Sequence, residues 1–257
     1  MIVDSRGLTD VGRKREANED SYAIVPEDRL FVVADGMGGH AAGEVASQLA
    51  VTALSEFIAS TRRDSEITWP YEYDPAIPME GNRLKTAIRL ANQRILDAIS
   101  RKKELEGMGT TLVGLVVSGA RAFVGHVGDS RAYLVREGAI TQITSDHSWV
   151  NEQVKLGFLS RGDAVRHPFR NVVTRALGSR DDVVVDISEH PLHVEDRIIL
   201  CSDGLNTMLD DNAILETVLS HGGDLDAAVK ALVSTANQNG GEDNVTVILV
   251  RCAPDPS

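Results

Sequence analysis

The sequence of 257 residues predicts an α+β fold, and three observations lead to this prediction. Apolar residues recur at helical spacing in two stretches, 41–59 and 84–99. β-branched runs at 110–117, 122–127, 131–136 and 139–143 are separated by short turns, a pattern typical of consecutive antiparallel hairpins. Several of the apolar strand patterns end in an aspartate. The recurrence of these acids points to a site at one end of the sheets.

The N-terminal part is a segment of mixed charge, 12–20, followed by a predicted strand at 21–25. The segment contains Arg15 and ends at Asp20. Taken alone, the segment favours a solvated charged loop over a functional site.

The stretch 30–40 is the centre of the prediction. An apolar run, 30–34, ends in Asp35 and Gly36, and His40 follows at the start of the first helical pattern. Because a buried strand would carry Asp35 to its end, the carboxylate there needs a partner such as a metal ion. Asp-Gly is also an ordinary turn signal, so this stretch alone leaves both interpretations open.

Between the two helical patterns, the segment 60–80 loses periodicity and contains Trp69, Tyr71 and Tyr73. We expect this loop to dock on the body of the protein, with partner binding as the alternative, since aromatic side chains mainly supply buried area.

The second half returns to strands after a long irregular segment. Residues 145–148 are typical of a helix start, and 157–178 is polar with four arginines. This makes 150–180 a candidate flap over a phosphate site, although a solvated loop is the default interpretation. Strands are predicted at 183–187, 197–201 and 245–250, and helices at 214–219 and 225–236. The strand at 197–201 runs into Asp203-Gly204, which repeats the arrangement at Asp35-Gly36.

Composition excludes several classes of function. The net charge of −12 argues against nucleic acid and anionic membranes as partners. The absence of a long apolar run and of a signal-like start predicts a soluble protein. Cys201 and Cys252 lie at the edges of apolar runs, where buried free thiols are favoured over a disulfide, and a cytoplasmic location fits.

Four aspartates beside apolar or β-branched runs suggest the chemistry: Asp35, Asp129, Asp203 and Asp243. Converging carboxylates repel one another unless cations compensate their charge. Since the ligands are oxygen atoms only, we expect hard ions, Mg²⁺ or Mn²⁺, and two such ions can activate a water against a phosphorus atom. This predicts phosphoester hydrolysis.

Six motifs occur in an order and spacing that resemble the bacterial metal-dependent protein phosphatases of the PP2C (PPM) family. They are Arg15-Glu16-Ala17-Asn18-Glu19-Asp20, Asp35-Gly36-Met37-Gly38-Gly39-His40, Gly109-Thr110-Thr111, Gly128-Asp129-Ser130-Arg131, Ser202-Asp203-Gly204 and Gly241-Glu242-Asp243-Asn244. The resemblance covers about residues 5–251 and implies one phosphatase domain over 1–257. It implies a four-layer α-β-β-α sandwich of two antiparallel sheets flanked by helices, with a flap near 150–180.

The resemblance also implies roles for individual residues. Asp35 would bridge two ions, with the Gly36 carbonyl completing one coordination shell, and Asp203 and Asp243 would bind the second ion. Asp20 would hold metal-bound waters, and Asp129 with Asp203 would hold a weaker third ion.

For the reaction itself, the resemblance implies direct attack by a water that bridges the two ions. Arg15 would bind the phosphate, since a planar bidentate donor suits two phosphoryl oxygens. His40 would protonate the seryl or threonyl leaving group, because an ordinary histidine side chain can donate a proton near neutral pH.

The function expected is therefore a serine/threonine protein phosphatase, a monomer that acts on phosphoproteins, including a Ser/Thr protein kinase and its substrates. The alternatives are a phosphatase of an anti-sigma-factor antagonist, a metal-free pseudophosphatase that only binds, and a phosphatase of small molecules. The intact acids together with Arg15 and His40 argue against the pseudophosphatase.

Overall fold

Two antiparallel β-sheets pack face to face, and helices cover the outer side of each. The computed structural model describes residues 1–38, 42–64 and 67–254. One sheet has the strand order β1 (Ile2–Asp10), β11 (Val245–Ala253), β10 (Arg197–Cys201), β7 (Arg131–Arg136) and β8 (Ala139–Gln142). The other has the order β2 (Asp20–Val25), β3 (Leu30–Met37), β5 (Leu112–Ser118), β6 (Arg121–Val127) and β9 (Asp186–Pro191), and β4 (Gly109–Thr110) pairs with β3.

The helices form the two outer layers. Helices α1 (Ala42–Arg63) and α2 (Met79–Arg101) cover the sheet that contains β3. Helices α5 (Asp203–Asn206), α6 (Asp211–Ser220) and α7 (Leu225–Gln238) cover the sheet that contains β11. The short helices α3 (Trp149–Lys155) and α4 (Arg161–Arg166) belong to the predicted flap. The expected order of four layers, α-β-β-α, is confirmed.

The alternation of side chains along the strands builds three hydrophobic cores. On β3, Leu30 and Val32 pack against α1 and α2, whereas Phe31 and Val33 pack into the core between the sheets. β11 likewise directs Leu249 toward α7 and Ile248 between the sheets. Since these strands are covered on both faces, their central residues, 30–34 of β3 and 247–250 of β11, are apolar without interruption, as expected for buried strands.

Two strand predictions need correction. The first strand, β1, was missed because its residues are only half-buried and mostly polar, and it pairs with a single neighbour, β11. The strand predicted at 183–187 begins instead at Asp186, where its pairing with His126 of β6 starts. Val183 and Val185 precede that pairing and are buried against the core of α1 and α2. Their side chains are therefore apolar because they pack in this core, and not because they belong to a β-strand.

The aromatic loop docks on the helical layer, as expected. Trp69 packs edge-on against Phe57 of α1 with ring centroids 5.9 Å apart, and the Arg83 guanidinium lies 5.8 Å from the Trp69 ring. Cys201 and Cys252 are buried free thiols. Within the part of the chain that the structure describes, no helix combines the length and the hydropathy needed to span a membrane.

Candidate active site

Five aspartates lie at the end of the sandwich where strands from both sheets terminate. Asp20 and Asp35 are directly opposite each other on β2 and β3. Asp203 follows β10 as the first residue of α5, and Asp243 lies just ahead of β11. Asp129 occupies the turn at which the chain passes from β6 in one sheet to β7 in the other. The two sheets thus supply the acids jointly.

Asp20 ties the two sheets together at this end. Its Oδ2 accepts hydrogen bonds from the hydroxyls of Ser202 at 2.7 Å and Thr246 at 2.6 Å, both from the opposite sheet. Its other oxygen, Oδ1, is buried and has no hydrogen-bond partner, and the same is true of Oδ1 of Asp203. Buried carboxylate oxygens without partners are costly, so these two atoms indicate a missing cationic or donor partner.

The acids disfavour one another's ionisation. Burial, together with Asp203 and Asp243, raises the pKa of Asp20 to about 7. Burial and the charges of Asp203 and Asp146 raise the pKa of Asp129 to about 7. The pKa of Asp203 is raised to about 6 by burial and by Asp243.

Asp35 experiences the strongest effect. Burial raises its pKa well above the usual range, and each of the other four acids adds to the shift. At neutral pH this cluster is therefore a site of strong negative potential that a cation would stabilise.

The glycine after each of the two strand-end aspartates is required by close backbone packing. A Cβ on Gly36 would lie 2.1 Å from the carbonyl oxygen of Gly43 in α1. A Cβ on Gly204 would lie 2.0 Å from the carbonyl oxygen of Asn244. In both Asp-Gly pairs the glycine lets a neighbouring backbone pack against the strand end and thereby fixes the aspartate.

Asn244 holds the N-terminal segment that carries Arg15. Its amide donates to the carbonyls of Val11 and Ala17, both at 2.9 Å, and its Oδ1 accepts from the backbone N–H of Glu19 at 2.8 Å. Asn244 is the last residue of the Gly241–Asn244 motif, but the sequence alone assigns it no role. Its position directly after Asp243 was the available signal.

Arg15 lies beside the acids and faces a small cavity. Its Nη2 donates to Oδ2 of Asp243 over 2.7 Å, and its side chain is 51% exposed. The cavity, of about 110 Å³, is lined by Arg15, Asp203 and Asp243, by Thr207 and Met208 after α5, and by Asn171 of the flap. A cation beside an opening of this size can receive an anionic group.

The flap therefore reaches the site, but through a residue that the sequence did not single out. The four arginines that suggested a flap over phosphate do not line the cavity. Arg175 instead forms an ion pair with Asp186, 3.1 Å away. The other three, Arg161, Arg166 and Arg170, form no ion pair within residues 1–38, 42–64 and 67–254.

The structure brings together six of the predicted side chains, those of Asp20, Asp35, Asp129, Asp203, Asp243 and Arg15, with Gly36 beside them. His40 lies outside the described residues. The donor set around the unpartnered oxygens consists of carboxylates, which suits hard divalent cations such as Mg²⁺ and Mn²⁺ and not Zn²⁺. The residues present fit a divalent cation centre.

Comparisons with known proteins agree with this site. Residues 11–249 match the model of the family described as Protein phosphatase 2C. The serine/threonine phosphatase stp of Listeria welshimeri is 37% identical over 249 residues, which cover 94% of this chain and 93% of that protein.

Two solved structures have the same fold. The Mycobacterium tuberculosis serine/threonine phosphatase PstP/Ppp superposes with a TM-score of 0.86 at 35% identity, covering 99% of this chain and 100% of the other. The catalytic domain of the phosphatase PstP in complex with two manganese ions superposes with a TM-score of 0.82 at 35% identity, covering 98% and 99%.

Proposed function

Because the chain belongs to the protein phosphatase 2C family and is a metal-dependent serine/threonine phosphatase, we propose that its strand-end aspartates hold the divalent cations used to hydrolyse phosphoserine and phosphothreonine in proteins. The observation that carries this assignment is the convergence of five acids, four of them with raised pKa values, with two buried carboxylate oxygens that have no hydrogen-bond partner. The PstP catalytic domain with two manganese ions supports two Mn²⁺ or Mg²⁺ ions here.

The proposed ligands divide by their position in the fold. Asp35, at the end of β3, faces all four other acids and is assigned to both ions, with the Gly36 carbonyl beside it. Asp203 and Asp243 are assigned to the second ion. Asp129 with Asp203 is assigned to a weaker third ion, because their charges act directly on each other.

Asp20 is assigned a supporting role. One of its oxygens is already engaged by Ser202 and Thr246, so that only Oδ1 is left to face the ions and their waters. When bound, the cations compensate the carboxylate charges and lower the pKa of a coordinated water. The acids of the chain contribute by holding their oxygens in place before the ions arrive.

Arg15 is proposed to bind the phosphoryl group. It lies at the cavity edge and uses one donor for Asp243, which leaves further N–H donors of the guanidinium for two phosphoryl oxygens. The hydrogen bond from Arg15 Nη2 to Asp243 orients the guanidinium group. Burial lowers the pKa of Arg15, but the hydrogen bond to Asp243 and the nearby acids outweigh burial and raise it, so that Arg15 remains charged.

His40 is proposed as the general acid that protonates the leaving alkoxide, on the basis of its sequence position between the Asp35-Gly36 strand end and α1. Replacement by alanine should reduce kcat on phosphothreonine peptides by about 10²–10⁴. The loss on p-nitrophenyl phosphate should be much smaller, because nitrophenolate leaves without protonation. Equal losses on the two substrates would disprove the role.

We propose phosphorylated serine/threonine proteins, including a Ser/Thr kinase and its substrates, as the partners of a cytoplasmic monomer. The family assignment supports phosphoprotein substrates, and the net charge of −12 disfavours nucleic acid. A single phosphatase domain over 1–257, with its motifs in 5–251, is supported by the pairing of β1 with β11, which joins the two ends of the chain in one sheet.

The decisive experiment measures hydrolysis of p-nitrophenyl phosphate and of a phosphothreonine peptide at varied Mn²⁺. Wild-type protein should be inactive after EDTA treatment and recover with Mn²⁺, and D203N should lose activity by at least a hundredfold. D226N is the matched control, because Asp226 is 56% exposed and, among the residues that the structure describes, its side chain pairs with Lys230 of α7 alone. Full activity of D203N, or turnover in EDTA, would refute the assignment.

A further inference from the structure

Outside the active site, the titratable cluster of His126, His147 and Asp186 brings three possible metal-ligand atoms within 4.8 Å of one another. Its geometry does not suit a metal ion. The two imidazole rings are stacked, with centroids 4.7 Å apart and planes 15° from parallel. Since an imidazole lone pair lies in the ring plane, stacked rings cannot both direct a nitrogen at one ion about 2.0–2.1 Å away.

The charged and hydrogen-bonded neighbours of His147 also argue against a bound cation. Arg175 places a guanidinium nitrogen 3.2 Å from His147 Nε2 and forms an ion pair with Asp186. His147 Nδ1 is already used, because it accepts a hydrogen bond from the backbone N–H of Gly128 at 3.1 Å. The cluster is therefore a hydrogen-bonded network, and its role depends on which backbone segments it fixes in place.

The network holds the turn that carries Asp129. His147 and Gly128 are joined twice, since the backbone N–H of His147 also donates to the Gly128 carbonyl at 2.9 Å. Gly128 has a φ of +107° and is pressed against Thr111, where a Cβ would lie 2.5 Å away. The position of Asp129 therefore depends on the residue that fixes Gly128.

The residues around His147 hold the other side of the same turn and the flap. The single Nε–H of Arg131 is shared between both carboxylate oxygens of Asp146, each at 3.1 Å, and Oδ2 also accepts from Arg131 Nη2 at 2.7 Å. The His147 carbonyl accepts from the backbone N–H of Thr174, at the C-terminal end of the flap, at 2.8 Å. Residues 146–147 thus connect the flap directly to the Asp129 turn.

We propose that His147 is a positioning residue for Asp129: its Nδ1, kept unprotonated, fixes the Gly128 amide, and its backbone ties the flap to the same turn. This rests on the proposed function in that Asp129 is there assigned to the weaker ion. The arrangement requires the Nε2–H tautomer, with Nε2 donating to Asp186 Oδ2 over 3.3 Å. Burial first, then the charges of His126 and Arg175, lower the pKa of His147 to about 4, which keeps the ring neutral at physiological pH.

Two substitutions distinguish the roles of the two ring nitrogens of His147. In H147N, the amide oxygen occupies the place of Nδ1 and can still accept from Gly128. H147Q instead presents a donor near the place of Nε2, toward Asp186, and leaves Gly128 without its acceptor. H190Q is the control, because His190 lies on β9, the strand that also carries Asp186, and its only side-chain hydrogen bond within the described residues is to Ser188, at 2.9 Å.

Three measurements test the proposal: the His147 tautomer by ¹⁵N NMR on wild-type protein, hydrogen exchange at the Gly128 amide, and Mn²⁺ binding by calorimetry with D129N as the reference. We expect the Nε2–H tautomer in the wild type. In H147Q, Gly128 exchange should accelerate at least tenfold, and the Mn²⁺ phase that D129N removes should weaken about tenfold, which corresponds to 1.4 kcal/mol. H147N and H190Q should remain within about twofold of wild type in both.

An Nδ1–H tautomer would overturn the proposal, and the tautomer measurement does not depend on how well either variant folds. Equal effects of H147N and H147Q, or weakened Mn²⁺ binding in H147Q with Gly128 exchange unchanged, would overturn it as well. If D129N leaves the Mn²⁺ isotherm unaltered, the proposed role of Asp129 fails. The tautomer and the Gly128 exchange then still decide whether His147 fixes the turn.

Discussion

Replacing Asp20 by asparagine should stabilise the metal-free protein while impairing its function. The amide oxygen of asparagine can still accept from Ser202 and Thr246, as Oδ2 of Asp20 does at 2.7 and 2.6 Å. The amide nitrogen would replace the buried oxygen Oδ1, which has no partner. The substitution therefore removes a buried charge without removing the link between the sheets.

The magnitude follows from the pKa of Asp20, which burial and the neighbouring acids raise from 3.8 to about 7. One pKa unit corresponds to about 1.4 kcal/mol, so ionising Asp20 costs the folded protein up to about 4 kcal/mol above neutral pH. Because the acids titrate together, part of this cost is shared. We expect D20N to raise the free energy of unfolding by about 2–4 kcal/mol at pH 7.5 in EDTA.

The sign of the pH dependence is fixed by the direction of the shift. An acid whose pKa is raised on folding destabilises the folded state fully above its folded pKa, about 7, and not at all below its unfolded value, 3.8. The advantage of D20N should therefore shrink as pH falls from 7.5 to 4.5. Urea unfolding of both proteins in EDTA at these two pH values measures it.

Added Mn²⁺ should reverse the order of the two proteins. The wild type gains stability by binding the ions, whereas D20N binds them more weakly and loses at least tenfold in kcat. The surface variant D226N should stay within about 0.5 kcal/mol of wild type in every condition. A D20N protein less stable than wild type in EDTA at pH 7.5, or an advantage equal at both pH values, would refute the electrostatic reasoning.

Three further substitutions probe the site and its support. G36A should lower the free energy of unfolding by more than about 3 kcal/mol in thermal or urea unfolding, because its Cβ would lie 2.1 Å from a carbonyl of α1. In G162A, within α4, the new Cβ meets only a side-chain atom at 3.8 Å, so this control should not lower the free energy of unfolding. R15A should raise KM for p-nitrophenyl phosphate about tenfold or more, with R15K intermediate; a fall in kcat at unchanged KM would assign Arg15 to the transition state. W69A should cost about 1–2 kcal/mol of stability, since it removes the contact with Phe57, and a change in kcat would contradict the placement of this loop away from the site.

Local patterns in the sequence predicted most of the elements. The two long helices, the hairpins of β5 with β6 and β7 with β8, and the C-terminal helices are confirmed, because each has a clear hydrophobic period. Helix α1 extends four residues beyond the predicted end at 59, to Arg63. β1 could not be found in this way, because this edge strand is half-buried and mostly polar and therefore shows no regular spacing of apolar residues.

The sequence alone determined which residue types lie at strand ends, and therefore the chemistry: repeated Asp-Gly pairs after buried strands predict an all-oxygen cation site for phosphate hydrolysis. Only the tertiary structure decided what holds those acids. The hydroxyls that bind Asp20 come from residues 182 and 226 positions away, the glycines of both Asp-Gly pairs pack against distant carbonyls, and His147 reaches the Asp129 turn through Gly128. The physical reason is that side-chain periodicity records which face of a strand is buried, whereas the partner on the opposite sheet is fixed only when the two sheets pack.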